Sequence, residues 1–215
     1  SNKRVMRVYA EYFTNNDGKE YRKKTLLHFG NSTNLIGSAV LINPGSAKPI
    51  GDPNSEFIRS FYDENHHIKN IDTNNWKTFS PDSTMGQLEK IFNGWYLGES
   101  FELNGVIQLF NCFYFKNQNF GEAIKNYNVD SDFNFNESQF FIDKPVYFGW
   151  GGAGKYGNLK PIAIEIFTKY DQNKTPIYDS KFENNCFYHP GYVNRSYSRF
   201  DRTQKLMREF FSLIN

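Results

Sequence analysis

The chain has 215 residues, of which 39% are hydrophobic and 22% are charged, and its formal net charge is +2. This composition indicates a folded globular protein and excludes both a disordered chain and a strongly basic, non-specific binder of nucleic acid. No apolar run is long enough to cross a membrane, and Cys112 and Cys186 lack metal-ligand spacing, so we expect no membrane partner and a reducing, cytoplasmic location. We expect one domain over residues 1–215, acting as a monomer without a cofactor.

Two segments near the start of the chain alternate apolar and polar residues and are joined by a turn sequence. Residues 4–13 and 20–29 therefore predict two strands. Asn15-Asn16-Asp17-Gly18 lies between them and is typical of a hairpin turn. We expect this hairpin, over residues 3–30, to form an antiparallel ribbon at one edge of a sheet.

The most informative stretch is a buried strand that ends in a polar turn. Four apolar residues, Ala39 to Ile42, lead directly into Asn43-Pro44-Gly45. Proline fixes its own φ and glycine permits a positive φ, so this turn can hold the Asn43 carboxamide in one place. Three later stretches repeat the pattern: strand 105–110 ends in Asn111, strand 145–148 leads into the glycine turn 149–155, and strand 185–188 ends at His189.

Helical patterns alternate with these strands. The predicted helices cover residues 54–62, capped by Asn54, and residues 83–95, 159–170 and 202–214. Residues 63–83 are polar and irregular, which predicts a long loop over the site. Alternating strands and helices favour a three-layer α/β/α fold with a mostly parallel central sheet, whose core spans residues 38–200.

The predicted strand ends carry polar side chains that could share one cleft. In a parallel sheet the carboxyl ends of the strands lie at one edge, where ligands commonly bind. Two carboxamides, Asn43 and Asn111, with the imidazole of His189 can read a planar polar ligand such as a nucleobase. His189 can also donate a hydrogen bond to a developing oxyanion. The structural alternative is that Asn111 is a cap and His189 a turn residue.

Two other patterns suggest sites that we consider weaker. The stretch 149–155 follows the spacing of a phosphate-binding loop, but Tyr156 stands where a small hydroxyl would bind Mg²⁺, which disfavours a nucleoside triphosphatase. Gly151, Gly152 and Gly154 can still present backbone N–H groups to a single phosphate at a helix start. The adjacent residues His66-His67 would point apart on a helix or strand, so we predict a solvated loop there and no metal site.

In order and spacing, the four stretches resemble motifs of the uracil-DNA glycosylase superfamily, over roughly residues 38–200. Ile42-Asn43-Pro44-Gly45 resembles the first motif of its mismatch-specific branch, which holds the water-positioning residue. Residues 105–111 resemble the strand whose final Asn reads the base edge. Residues 146–151 resemble a strand that runs into Trp-Gly, and Tyr188-His189-Pro190-Gly191 is similar to the last motif.

The chain departs from that superfamily at two positions. Gly191 stands where the usual residue is Ser, and no Tyr follows two residues after Pro44. The same stretches also resemble an uncharacterised bacterial family, a domain of unknown function with Asn-Pro-Ser, Asn-Leu-Phe, Trp-Gly and His-Pro-Leu motifs. This second resemblance implies a glycosylase-like fold without implying the activity.

The glycosylase resemblance implies a DNA-repair type of hydrolase that cleaves the N-glycosidic bond of a nucleobase, with DNA or a nucleotide as partner. Asn43 would position water, His189 would stabilise charge on the base, and loop 192–200 would press into the duplex as the base flips out. The residues predicted to bind substrate are Pro44, Gly45, Asn111, Phe113, Gly151, Lys155, Gly191, Arg195 and Arg199. The alternative is a non-catalytic nucleic-acid or nucleotide-binding protein on the same fold.

Overall fold

The computed structural model describes residues 5–116, 135–152, 159–169 and 187–214. Within these ranges the chain is mixed α/β, with seven strands in one sheet and five α-helices. The strands are β1 (Arg7–Thr14), β2 (Glu20–Phe29), β3 (Leu35–Leu41), β4 (Pro49–Gly51), β5 (Trp76–Phe79), β6 (Gly105–Asn111) and β7 (Val146–Phe148). The helices are α1 (Ser55–His66), α2 (Ser83–Phe92), α3 (Lys160–Thr168), α4 (Pro190–Ser196) and α5 (Asp201–Ile214).

The sheet is mostly antiparallel among the described strands, so the prediction of a mostly parallel sheet is wrong. Its order is β4-β5-β1-β2-β6-β3-β7. The pairings of β3 with β6 and β7 are parallel, whereas the other four pairings are antiparallel. The reason lies in the N-terminal hairpin, which pairs through β2 with β6 and through β1 with β5. It therefore lies in the middle of the sheet and not at its edge.

The parallel unit β6-β3-β7 contains three of the predicted core strands, and their carboxyl ends lie side by side. Leu41 at the end of β3 pairs with Asn111 at the end of β6. Val40, one residue earlier, pairs with Phe148 at the end of β7. The loops that follow these three strands therefore leave the sheet at one edge, as the alternation of strands and helices predicted.

The described helices cover both faces of the sheet. Neighbouring residues in a strand point to opposite faces, and Val8 and Tyr9 of β1 belong to two separate hydrophobic clusters. The cluster of Tyr9 includes Ile58 and Phe61 of α1, whereas the cluster of Val8 includes residues of α2 and α5. None of the helices in these ranges has the length and apolar character needed to cross a membrane.

The helix α1 begins where its cap predicts but continues four residues further than expected. The Asn54 side chain accepts a hydrogen bond from the Phe57 N–H at 3.1 Å, and the helix ends at His66. The segment 63–83 is not the predicted long loop, because it also contains β5. Trp76 of β5 is fully buried, and burial of this large apolar side chain favours a strand paired with β1.

The C-terminal part of the chain also differs from the sequence-based expectation. Helix α5 agrees with the predicted helix 202–214, but Pro190–Ser196 forms α4, which overlaps the segment 192–200 predicted as a loop. Pro190 occupies the first turn of α4, where its fixed φ and missing N–H suit a helix start. Of the predicted strand 185–188, the described residues 187 and 188 have no strand structure.

Candidate functional site

A cleft of about 260 Å³ opens at the sheet edge where β3 and β6 end. It brings together side chains from three separate stretches that the sequence singled out: the Asn43 turn, Asn111 and His189. The described residues that line it are Arg22, Leu41, Asn43, Pro44, Gly45, Ser46, Asp82, Ser83, Thr84, Leu109, Asn111 and His189.

The turn after β3 places Asn43 at the cleft, half-buried, with its Nδ2 atom donating to the Pro44 carbonyl at 3.3 Å. Gly45 is not among the glycines with positive φ, so the predicted reason for a glycine here is wrong. The structural reason is close approach, because a Cβ at Gly45 would lie 2.9 Å from Oδ2 of Asp82. Any other residue at position 45 would therefore push the flexible Asp82 carboxylate aside.

The carboxamide of Asn111 ties the ends of β6 and β3 together. Asn111 is 3% exposed, and in the orientation that satisfies its hydrogen bonds its nitrogen donates to the carbonyls of Phe110 and Asn43, both at 3.2 Å. Its backbone N–H donates to the Tyr114 hydroxyl at 3.3 Å, and that hydroxyl donates to the buried Glu137 carboxylate. Since both amide hydrogens are used, Oδ1 is the side-chain atom left to accept a further hydrogen bond.

The imidazole of His189 is held in one tautomer by the helix that it caps. Its Nδ1 atom accepts a hydrogen bond from the Gly191 N–H at 3.0 Å, at the N-terminus of α4. A neutral ring has one N–H, so the proton is on Nε2. Burial lowers the pKa of His189, and the nearby Arg195 lowers it further, while Asp82 acts in the opposite direction. His189 is therefore a neutral donor at physiological pH.

Two of the three glycines predicted to bind substrate, Gly151 and Gly191, use their backbone N–H groups within the protein. The Gly151 N–H donates to the Phe187 carbonyl at 2.6 Å, so it is not available to a phosphate. Gly151 has a φ of +57°, and a Cβ there would lie 3.5 Å from Cβ of His189. The Gly191 N–H is used by His189 as described above. Lys155 lies outside the described residues.

Phe113 does not lie where a ring could stack on a ligand base. Its side chain is fully buried and stacks on Phe115, with ring centroids 4.7 Å apart. Its backbone N–H donates to the Ile42 carbonyl at 3.1 Å. Phe113 is absent from the described lining of the cleft, and its position is that of a core residue that fixes the strand end.

Arg195 and Arg199, both predicted to bind substrate, are exposed, and Arg195 lies near His189. Arg195 lies on α4, and its Nη1 atom would be 3.3 Å from a Cβ at Gly191. It also lowers the pKa of His189, which places its charge near the imidazole. Arg199 lies in the turn after α4, where its N–H donates to the Ser196 carbonyl at 2.9 Å. Both cations are therefore carried by a helix and its following turn rather than by a loop.

Sequence reasoning missed two charged residues of the cleft, Arg22 and Asp82. Arg22 on β2 is 1% exposed, and neither its Nε nor its Nη1 atom has a hydrogen-bond partner among the described residues. Burial lowers its pKa to about 10, and Asp82 acts against this shift. Asp82 caps α2, with Oδ1 accepting from the Met85 N–H at 2.9 Å. The cap signal could have revealed Asp82, but Arg22 lies in a run with two lysines that is typical of a solvated strand.

Comparisons of the chain with family models, with curated proteins and with solved structures find no match. Over the described ranges there is also no group of three or more His, Cys, Asp or Glu residues that could hold a metal ion. His66, in the segment considered for a metal, lies with its Nε2 atom 2.6 Å from Oε1 of Gln108. The function of the protein must therefore be inferred from the cleft and the chemistry of its side chains.

Proposed function

We propose that the protein is a hydrolase that cleaves the N-glycosidic bond of a nucleobase compound, on a three-layer fold related to that of uracil-DNA glycosylases. The observation that carries this proposal is the meeting of Asn43, Asn111 and His189 in one cleft, with His189 held as a neutral donor. The parallel unit β6-β3-β7, with helices on both faces of the sheet, supports the proposed fold.

The proposed reaction is attack of water on C1′ of the sugar. Asn43 orients the water, and the Asp82 carboxylate accepts its proton as the new C–O bond forms. The C1′–N bond breaks, and its electron pair leaves with the base. His189 donates from Nε2 to the base oxygen on which the negative charge develops. Oδ1 of Asn111 accepts a hydrogen bond from an N–H on the edge of the base.

The test of this function is release of a base. The protein is incubated with oligonucleotides that contain uracil, hypoxanthine or a mismatched base, and alkali-labile sites are then measured. We expect such sites with the wild-type chain and with His67→Asn, which changes an exposed histidine outside the cleft lining. We expect none with His189→Ala. Ligand binding without any cleavage would favour the non-catalytic binding protein.

The pH dependence of turnover should report the protonation of His189. Its pKa lies below the usual value of 6.5, because of burial and Arg195, so the neutral donor is present at neutral pH. As the pH falls through this pKa, Nδ1 gains a proton and can no longer accept from the Gly191 N–H. We therefore expect kcat to be level from pH 7 to 8 and to decline below about pH 6.5. A decline centred above pH 7 would contradict this assignment.

Arg195 and Arg199 are expected to contact phosphates of a bound strand. Replacing both with alanine should weaken binding to all sequences about equally and lower the slope of log K against log salt by roughly two units, about 0.9 for each lost duplex contact. The free energy of unfolding should hardly change, because exposed cations contribute little to it. Fluorescence anisotropy at several salt concentrations measures the slope. An unchanged slope would place the strand elsewhere.

A further inference from the structure

The strongest unexplained feature of the cleft is the guanidinium of Arg22. Its side chain is almost completely buried, and two of its nitrogens have no hydrogen-bond partner among the described residues. Leaving donors of a buried charged group unsatisfied is costly, so such groups in folded proteins are usually paired. Arg22 also lines the cleft. A ligand that enters the cleft can supply the acceptors that the protein does not.

The surroundings of Arg22 leave an excess of positive charge. Arg22 lies over the ring of Phe79, with its Cζ atom 5.5 Å from the ring centroid, and Lys116 lies over the same ring at 5.8 Å. The Nζ atom of Lys116 donates to the Ala47 carbonyl at 2.9 Å. Burial lowers the pKa of Lys116, and the charges of Arg22 and Lys48 lower it further, while the carboxylate of Glu20 acts in the opposite direction.

The N-terminus of α2 contributes to the same corner of the cleft. Ser83 and Thr84 are its first two residues, and both line the cleft. The first N–H groups of a helix have no partner within the helix, and they carry a partial positive charge. The Asp82 carboxylate accepts from the Met85 N–H, which leaves the N–H groups of Ser83 and Thr84 to donate to a ligand. Asp82 and Glu20 together bring two negative charges, against the three positive charges of Arg22, Lys48 and Lys116.

We propose that Arg22, together with the first turn of α2, binds a phosphate group of the substrate. This inference rests on the proposed function, because a nucleobase compound carries its phosphate on the sugar that the same cleft must hold. A phosphate presents several strong acceptor oxygens, and guanidinium is well suited to bind them. Two sources share this chemistry: the terminal phosphate of a free nucleotide and the phosphodiester of a strand.

The test measures binding and stability with Arg22→Met and Arg22→Lys, and with Arg208→Gln as a control on the exposed face of α5. The probes are inorganic phosphate, deoxyuridine, deoxyuridine 5′-monophosphate and an oligonucleotide with one uracil. Calorimetry should show that Arg22→Met weakens binding of phosphate and of the monophosphate by roughly tenfold or more, because several charge-assisted hydrogen bonds are lost. Binding of deoxyuridine should not change, and the control should bind as the wild type does.

Stability separates a binding arginine from a structural one. Removing a buried charge that lacks partners should leave the melting temperature of ligand-free Arg22→Met unchanged or higher. Phosphate should raise the melting temperature of the wild type but not of this variant. Should Arg22→Met not fold, Arg22→Lys keeps the charge and is expected to lose the same phosphate affinity.

The outcomes also separate this inference from the proposed function. Arg22-dependent phosphate binding without base release would support the phosphate site and overturn the hydrolase. Base release with an unchanged KM in Arg22→Met and Arg22→Lys would overturn the phosphate site alone. Binding of the monophosphate but not the oligonucleotide would assign the site to a terminal phosphate, and the reverse would assign it to a strand. Wild-type protein that binds none of the phosphate-containing probes would overturn the inference.

Discussion

Replacing Asn43 with alanine is expected to abolish base release and to leave the protein folded. The half-buried carboxamide lines the cleft, and its bond to the Pro44 carbonyl is long, at 3.3 Å. Loss of a group that orients the attacking water should reduce kcat by about 100-fold or more. The free energy of unfolding should change by no more than about 1 kcal/mol, because a polar side chain facing a cleft contributes little packing.

The matched control for this variant is Asn74→Ala, which removes an exposed carboxamide outside the cleft lining. It should retain full turnover and stability. Rates are measured under single-turnover conditions, and stabilities by urea denaturation. A large loss of stability in Asn43→Ala would identify Asn43 as a structural turn residue, and unchanged turnover would remove it from the mechanism.

Replacing Gly105 with alanine is expected to cause the largest loss of stability. Gly105 begins β6 with a φ of +143°, where any residue with a side chain is strained. The Cβ of an alanine at this position would lie 2.3 Å from the Asn34 carbonyl oxygen. That carbonyl accepts the Val106 N–H at 2.8 Å, next to the start of the parallel pairing of β6 with β3. The clash is with backbone, so the strands must separate, and we expect a loss of about 3 kcal/mol or more.

Gly86→Ala is the control, and it should change the stability of the protein in the opposite direction. Gly86 lies within α2, and a Cβ there meets no atom within 4 Å. Alanine is the better helix former, so this change should stabilise the protein by up to about 1 kcal/mol. Thermal denaturation of both variants measures the contrast. A Gly105→Ala protein as stable as the wild type would contradict the close approach of β6 to residue 34, and with it the register that aligns Asn111 with Leu41.

The meeting of Asn43, Asn111 and His189 could be predicted because each follows an apolar segment that ends abruptly in a turn. For Asn43 and Asn111 these patterns report β3 and β6 with their ends, and the parallel unit brings those ends together. His189 reaches the cleft as the cap of α4, because residues 187 and 188 before it form no strand. The reason for Gly45 could not be read in the same way, since it depends on Asp82, a residue distant in sequence. Phe113 also follows a strand end, but an aromatic at such a position can face either a ligand or the core.

The antiparallel half of the sheet could not be predicted because it depends on pairing between distant strands. The hairpin 3–30 is visible from its own turn, but nothing local shows that β2 pairs with β6. Arg22 was missed for a related reason. It stands beside Lys23 and Lys24, and only the packing of β2 against neighbouring strands separates the buried arginine from two lysines with partly exposed side chains.

The central claim is hydrolysis of an N-glycosidic bond in this cleft, and mass spectrometry of the reaction products tests it most directly. Wild-type protein is incubated with uracil- and hypoxanthine-containing oligonucleotides and with the corresponding nucleotides, with Asn43→Ala and Asn74→Ala in parallel. We predict free base and its base-free sugar product in equal amounts for the wild type and Asn74→Ala, and intact substrate for Asn43→Ala. Intact substrate with every protein and every compound would contradict the claim.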